Sequence, residues 1–409
     1  MAILPERRNL RPNQRSGGPL LQNPFVRWVD HRLPVFSTFD RFVTHYPAPR
    51  NLSYWWNFGS LATFMVLAML GSGIFLAMNY QPDPDTAFAS LQRMARDVDY
   101  GWLIRSIHMI GASMFFIVVY LHVGRSLYYG SYKRPRELLW MLGLVLFVLM
   151  MTIAFTGDVL PWDQRSYSAA TVITNLFSVI PFAGNHITNW IRGGYAVGAP
   201  TLNRVFILHI VLPFVLVGFV WLHLQALHRH GSNNPTGIEP APEAEVFFHP
   251  YYTIKDLFGL GCFLIVYAAI VFFVPGLFET PDDGIPADPL STPTNIVPDW
   301  YFLPFYAMLR ALPNTGLGAA ALFGSVLVLF FLPWLDTSPV RSGRYRPLFR
   351  WFFMGLVFDI ALLGWAGAQP PDGVYIWISR AATFWYFVHF LVVLPVLGKL
   401  ERPYPEPGR

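Results

Sequence analysis

The stretch GWLIRSIHMIGASMFFIVVYLHVGRSLY, residues 101–128, is apolar almost throughout, yet it carries two histidines, His108 and His122. A second apolar stretch, residues 202–227, carries His209 and His223. The members of each pair are fourteen positions apart, about 3.9 turns of α-helix, so both imidazoles of a pair point nearly the same way. The rise between them is roughly 21 Å, which fits within a hydrocarbon layer about 30 Å thick. Two such helices side by side would hold two metal centres, one above the other, each between two imidazoles. That arrangement suits electron transfer across a membrane.

Composition agrees with a membrane location. Of the 409 residues, 54% are hydrophobic and 13% charged, against roughly 25% charged in soluble domains. The Arg- and Pro-rich N-terminal fifty residues contain no early apolar core of a secretory signal. The single cysteine, Cys262, excludes an intrachain disulfide, a cysteine-ligated cluster and a C-x-x-C-H haem attachment. A metal must therefore rely on histidine. The net charge of +5 fits loops facing anionic lipid better than nucleic-acid binding.

The pattern predicts an all-α polytopic membrane protein with eight spans near 58–80, 102–128, 138–157, 202–227, 253–275, 317–335, 348–368 and 374–397. The expected organisation is a polar N-terminal extension (1–57) with a short surface helix near 33–42, a di-haem four-helix bundle (58–230) and a C-terminal four-helix region (231–409). With the N-terminus inside and the spans alternating, the inner segments hold 21 of the 29 Lys and Arg. That asymmetry follows the positive-inside rule and puts both termini in the cytoplasm. Spans two and four then run parallel, which pairs His108 with His209 at the outer depth and His122 with His223 at the inner depth.

A lone intramembrane histidine is more often a hydrogen-bonded packing residue. Four at matched spacing on two parallel helices favour two haems, each ligated by two histidines. Gly59 and Gly73, and Gly143 and Gly157, are also fourteen apart. Glycine removes the Cβ that would keep a flat macrocycle from a helix backbone. Arg105 and Arg125 each stand one turn beyond a ligand toward the surface, placed to pair with haem propionates.

Several motifs resemble cytochrome b of the cytochrome bc1 complex: GWLIR (101–105) through HVGRSLYYGSY (122–132), PRNLSYWWNFG (49–59), GSNNPTGI (231–238) and ATVITN (170–175). The resemblance runs from about residue 30 to 400. Plastid-type relatives space the second histidine pair one residue further apart and split the protein after the fourth span. This chain does neither, so it is similar to the bc1 branch. The resemblance implies a subunit of a quinol:cytochrome c oxidoreductase working with a Rieske iron–sulfur protein and cytochrome c1 in a homodimeric complex. In that reading quinol is oxidised at an outer site and quinone is reduced at an inner one. One electron of each quinol crosses the membrane through an outer low-potential and an inner high-potential b haem, and protons are translocated.

Pro298-Asp299-Trp300-Tyr301 resembles the Pro-Glu-Trp-Tyr motif of the outer quinone site, which implies Asp299 as proton acceptor, with Tyr301 and Tyr306 orienting the ring. Departures from the family pattern gather here. Asp299 is one methylene shorter than Glu, Asp158 stands for Tyr, Asp163 for Gly, Arg165 for Met, and Ala169 for a pocket-lining Gly. At the inner site the resemblance implies His228 and Asp256 as proton-delivering quinone ligands, with Lys255 and Ser232 beside them. The Arg-rich N-terminal extension points to a bacterial inner membrane. Two other readings predict different features. A di-haem anchor of another quinone oxidoreductase would need no outer-site motif, and a cofactor-free transporter would need no matched histidine pairs.

Overall fold

A segment surrounded by hydrocarbon must satisfy its backbone N–H and C=O groups internally, so long apolar stretches fold as helices. The structure, a computed structural model, describes residues 22–293 and 296–401. Residues 1–21 of the expected extension and the tail 402–409 lie outside the described residues. The helices in the first part of the chain are α1 (Pro24–Asp30), α2 (Val35–Phe39), α3 (Phe58–Ala77), α4 (Ala87–Asp97), α5 (Gly101–Tyr128) and α6 (Glu137–Val159). They continue with α7 (Gln164–Leu176), α8 (Gly184–Arg192), α9 (Ala199–His230) and α10 (Phe248–Phe273). The last part holds α11 (Leu303–Ala311), α12 (Thr315–Phe330), α13 (Leu332–Leu335), α14 (Pro347–Gly367), α15 (Gly373–Val388) and α16 (Leu394–Leu400).

Among the described residues, seven helical segments are long and apolar enough to cross a bilayer. They correspond to α3, α5, α6, α9, α10, α14 and the α15–α16 run. The remaining expected span, 317–335, is shorter than anticipated. Its helix α12 has 16 residues, about 24 Å of rise against the roughly 30 Å of a hydrocarbon core. Pro333 is the cause. It offers no N–H to the Leu329 carbonyl four residues back, and that carbonyl accepts from Trp140 Nε1 at 2.8 Å. The long connections contain short helices: α4, the α7–α8 pair and α11.

Two compact units are present. One combines the described residues up to Arg50 with Pro240–Phe258. There β1 (Pro47–Pro49) pairs antiparallel with β2 (Glu245–Phe247), Ala48 opposite Val246, and Tyr252 donates to the Pro49 carbonyl. The expected surface helix at 33–42 divides into α2 and a wider π-helical turn, Asp40–Thr44. Asn23 caps α1 by accepting from Phe25 N–H at 2.9 Å.

The second unit holds the described residues of 51–239 and 259–401. Its closest helix pairs are α3 with α5 and α6 with α9, while α11, α12, α14 and α15 form a neighbouring group. One apolar core joins the two groups, with Tyr132, Trp140 and Leu144 packed among Met308, Leu332, Phe349, Leu356 and Phe390. A buried charged knot ties the same groups together. Asp336 accepts from Tyr132 at 2.5 Å, Lys133 at 2.8 Å and Arg346 at 2.8 Å, and Arg346 also binds Glu401 at 2.7 Å. Two cations meet two carboxylates, so the knot is balanced in charge. Burial works against the Asp336 charge, but Lys133 and Arg346 hold its carboxyl below the usual carboxylate range. Elsewhere large apolar side chains such as Leu67, Phe75, Ile207, Phe214, Ile265 and Phe358 face outward. This is the surface of an integral membrane protein, where lipid replaces water as the neighbour.

Candidate metal centres and the adjoining acidic pocket

The facing helices α5 and α9 bring the four histidines together as two pairs. The His108 and His209 ring centroids are 6.1 Å apart at 80°, and those of His122 and His223 are 6.5 Å apart at 57°. Two metal–nitrogen bonds of about 2 Å each, plus the radii of the two rings, span roughly this distance. His209 Nδ1 donates to the Ile153 carbonyl at 2.9 Å. Ser72 gives its hydrogen to the Ala68 carbonyl at 2.8 Å and can accept from His108 Nδ1 at 2.9 Å. With Nδ1 committed as donor, Nε2 of both rings is the ligating atom.

Each imidazole is faced by one of the four glycines. A Cβ on Gly73 would lie 3.1 Å from His108 Cε1, and one on Gly157 2.5 Å from His209 Cε1. At the other pair, a Cβ on Gly59 would lie 3.5 Å from His122 and one on Gly143 3.2 Å from His223. Among the described residues no cluster of three or more His, Cys, Asp or Glu could hold a bare ion. Two imidazoles suit a metal that brings its other donors on a macrocycle. Arg125 Nε and Trp56 Nε1 are buried without protein partners, and the guanidinium sits 4.9 Å over the Trp56 ring. Two orphaned donors beside His122 fit an acidic substituent. The site therefore fits a haem at each pair. Arg105 is half-exposed, 3.9 Å from Glu279.

Next to the His108 pair is a buried acidic pocket. Gly157, opposite His209, is followed by Asp158 at the end of α6, and Trp162 (φ 54°) turns the chain into α7. Asp163 caps α7 by accepting from Ser166 N–H at 2.8 Å. Burial pushes its carboxyl up to about 6. Arg165 binds Asp158 at 2.8 Å, Asp299 at 3.1 Å and Asp283 through Nε. Burial opposes its charge, but the three carboxylates hold Arg165 firmly protonated. The second Asp299 oxygen accepts from the Tyr301 hydroxyl at 2.5 Å. Burial and Asp299 keep the Tyr301 phenol far above its ordinary range, so it remains a donor. The Tyr301 ring stacks 3.9 Å from Phe116, and Trp300 Nε1 reaches Ser113 Oγ at 3.0 Å. Tyr306 donates to the Ile296 carbonyl at 2.8 Å. Ala169 is buried on α7. Pro298 precedes Asp299 in extended chain.

The residues expected at the other quinone site belong to the end of α9, the turn after it, and α10. His228 lies in the last turn of α9 with Nδ1 2.7 Å from the Leu224 carbonyl, and Ser232 donates to the Asn233 carbonyl at 2.8 Å. Gly231 (φ 73°) ends α9, its carbonyl held by Arg136 Nε at 2.9 Å. Lys255 and Asp256 belong to α10, and Lys255 Nζ lies 5.4 Å from the Tyr252 ring centroid. Sequence reasoning missed Ser72, Asp283 and the three-carboxylate role of Arg165. Only the odd charges at 158, 165 and 299 signalled the last.

Two family models match the chain. "Cytochrome b/b6/petB" covers residues 43–231 and "Cytochrome b(C-terminal)/b6/petD" covers residues 286–387. A protein named "Cytochrome b" from Rhodospirillum rubrum is 55% identical over 95% of this chain and 96% of its own length. One of the same name from Rickettsia bellii is 54% identical over 94% and 96%. "Cytochrome b/c1" of Bradyrhizobium diazoefficiens is 51% identical over 94% of this chain and 56% of its own length. A solved chain titled "Hyperthermophilic respiratory Complex III" superposes with a TM-score of 0.85 at 34% identity, covering 92% of this chain and 99% of that one.

Proposed function

The chain belongs to the cytochrome b family of bc1-type complexes, and on that premise we propose that it oxidises quinol at one membrane face and reduces quinone at the other. The observation that carries this reading is the pairing of His108 with His209 and His122 with His223, each ring faced by a glycine. These histidines would hold two b haems, with Arg125 and Arg105 as propionate partners. When bound, the haems supply a one-electron relay across the bilayer.

The proton chemistry belongs to side chains of this chain. At the proposed outer site, Asp299 accepts a proton from the quinol hydroxyl and Tyr301, whose hydrogen goes to Asp299, orients the ring through its hydroxyl oxygen. Pro298, Trp300, Tyr306 and Ala169 shape that pocket. At the proposed inner site, His228 and Asp256 hold the quinone carbonyls and deliver protons, assisted by Lys255 and Ser232. The distribution of Lys and Arg supports both termini in the cytoplasm of a bacterial inner membrane. The "Cytochrome b/c1" relative supports cytochrome c1 as a partner, and the bc1 resemblance supports a Rieske protein and a homodimeric complex.

The test is purification in mild detergent, mass spectrometry of co-purifying subunits, and redox titration of the absorbance spectrum. Two b-type components and a co-purifying Rieske protein are expected. In that complex Asp299→Asn should cut quinol oxidation by about 100-fold or more and remove its acid-side pH dependence. An Asn variant with wild-type rate and pH profile sinks the role of Asp299.

A further inference from the structure

Arg165 commits each of its nitrogens to a carboxylate from a different segment. Nη2 binds Asp158 at the end of α6 and Nη1 binds Asp299 in the loop before α11. Nε binds Asp283 in the turn Pro281–Gly284. The four side chains are 8–19% exposed, so solvent screens them little. Asp299 in turn is gripped at both oxygens, by Arg165 and by the Tyr301 hydroxyl. A short aspartate side chain thereby gains a definite position that its own reach does not supply.

We propose that Arg165 is a positioning residue for quinol oxidation: anchored by Asp158 and Asp283, it holds the Asp299 carboxylate against the Tyr301 hydroxyl with a fixed cation beside it. The proposal rests on the reading of Asp299 as proton acceptor. The anchoring matters. A guanidinium held only by Asp299 would follow that carboxylate, whereas one held by two others stays in place when Asp299 is neutralised. Asp299 can then turn away without dragging the cation into the pocket. A cavity of roughly 100 Å³ borders the guanidinium, lined by Arg165, Ser168, Thr280, Asp282 and Ile296. The titratable groups facing Asp299 and Arg165 are Asp158 from α6, Asp163 from the α7 cap, Asp282 and Asp283 from the preceding loop and the Tyr301 phenol.

The experiment compares Arg165→Met, Arg165→Lys and Asp299→Asn in the purified complex. Losing the cation leaves Asp299 among like charges, so in Arg165→Met the acid limb of the quinol-oxidation profile should move up by about one pH unit or more. A misplaced acceptor should also lower kcat by up to roughly 100-fold. Arg165→Lys keeps the charge and should restore the limb, though not the full kcat, because an ammonium cannot span three carboxylates as a planar fork does. Infrared titration supplies a readout independent of turnover. The carboxylic-acid carbonyl band that disappears in Asp299→Asn should titrate at higher pH in Arg165→Met. If Arg165→Met does not assemble, Arg165→Gln, which removes the charge but keeps hydrogen-bonding capacity, is read the same way. A lowered kcat with an unmoved limb and unmoved band overturns the proposal and leaves Arg165 as packing. Wild-type behaviour of Asp299→Asn overturns the underlying reading instead.

Discussion

The hydrogens of Gly157 occupy the space where any side chain would meet the His209 ring. A Cβ there would approach Cε1 to 2.5 Å, and His209 cannot turn aside without losing its bond to the Ile153 carbonyl. Gly157→Ala should therefore abolish the spectral signature of the haem at His108 and His209 while sparing the other. At Gly59 the same methyl would stand 3.5 Å from His122, an ordinary contact, so Gly59→Ala should retain both haems. Redox difference spectra and haem stoichiometry of the two variants decide this, and equal behaviour of the two would refute it. The glycines and histidines were legible because a fourteen-residue repeat survives in sequence as a pattern. The Arg165 cluster was not. Asp158 and Arg165 stand on different helices, separated by the turn at Trp162, and Asp299 is 134 positions beyond Arg165. Sequence showed unusual charges at 158, 163 and 165, and only the fold shows that Arg165 bridges Asp158, Asp283 and Asp299.

Helix α7 begins at a residue under opposing demands. Asp163 supplies the cap to Ser166 N–H, yet burial raises its carboxyl to about 6 from 3.8. The sign follows directly: between those values the folded state binds the proton more tightly, so this residue's contribution to stability falls as pH rises through that window. Asparagine caps a helix as well as aspartate does and carries no charge to desolvate. Asp163→Asn should thus raise the stability of the complex above pH 6, by about 1–3 kcal/mol, with little gain near pH 4. Thermal unfolding of wild type and variant across that range tests it, and a uniform gain at every pH would contradict the titration argument. Long spans were readable because lipid imposes twenty-residue apolar runs. Helices α4, α8 and α11 were not, since short amphipathic segments within polar connections carry no such signature. The shortened α12 escaped notice for a different reason: its apolar run continues past Pro333, where the helical hydrogen bonding does not.

At the scale of the whole molecule, each compact unit is assembled from both halves of the chain. In one, β1 from the N-terminal half pairs with β2 from beyond residue 240. In the other, Tyr132, Lys133 and Trp140 are locked to Asp336, Leu329 and the α14 core. Each of these contacts joins residues on either side of Ala241, and none depends on the peptide bond there. A gene divided there, encoding residues 1–241 and 242–409 as separate chains, should yield two polypeptides that co-purify in equal amounts with the haem spectrum intact. Loss of the second fragment during a detergent wash would count against this. Cohesion here comes from the buried knot, the shared apolar core and the small ribbon. The molecule is, in energetic terms, a heterodimer translated as a single chain.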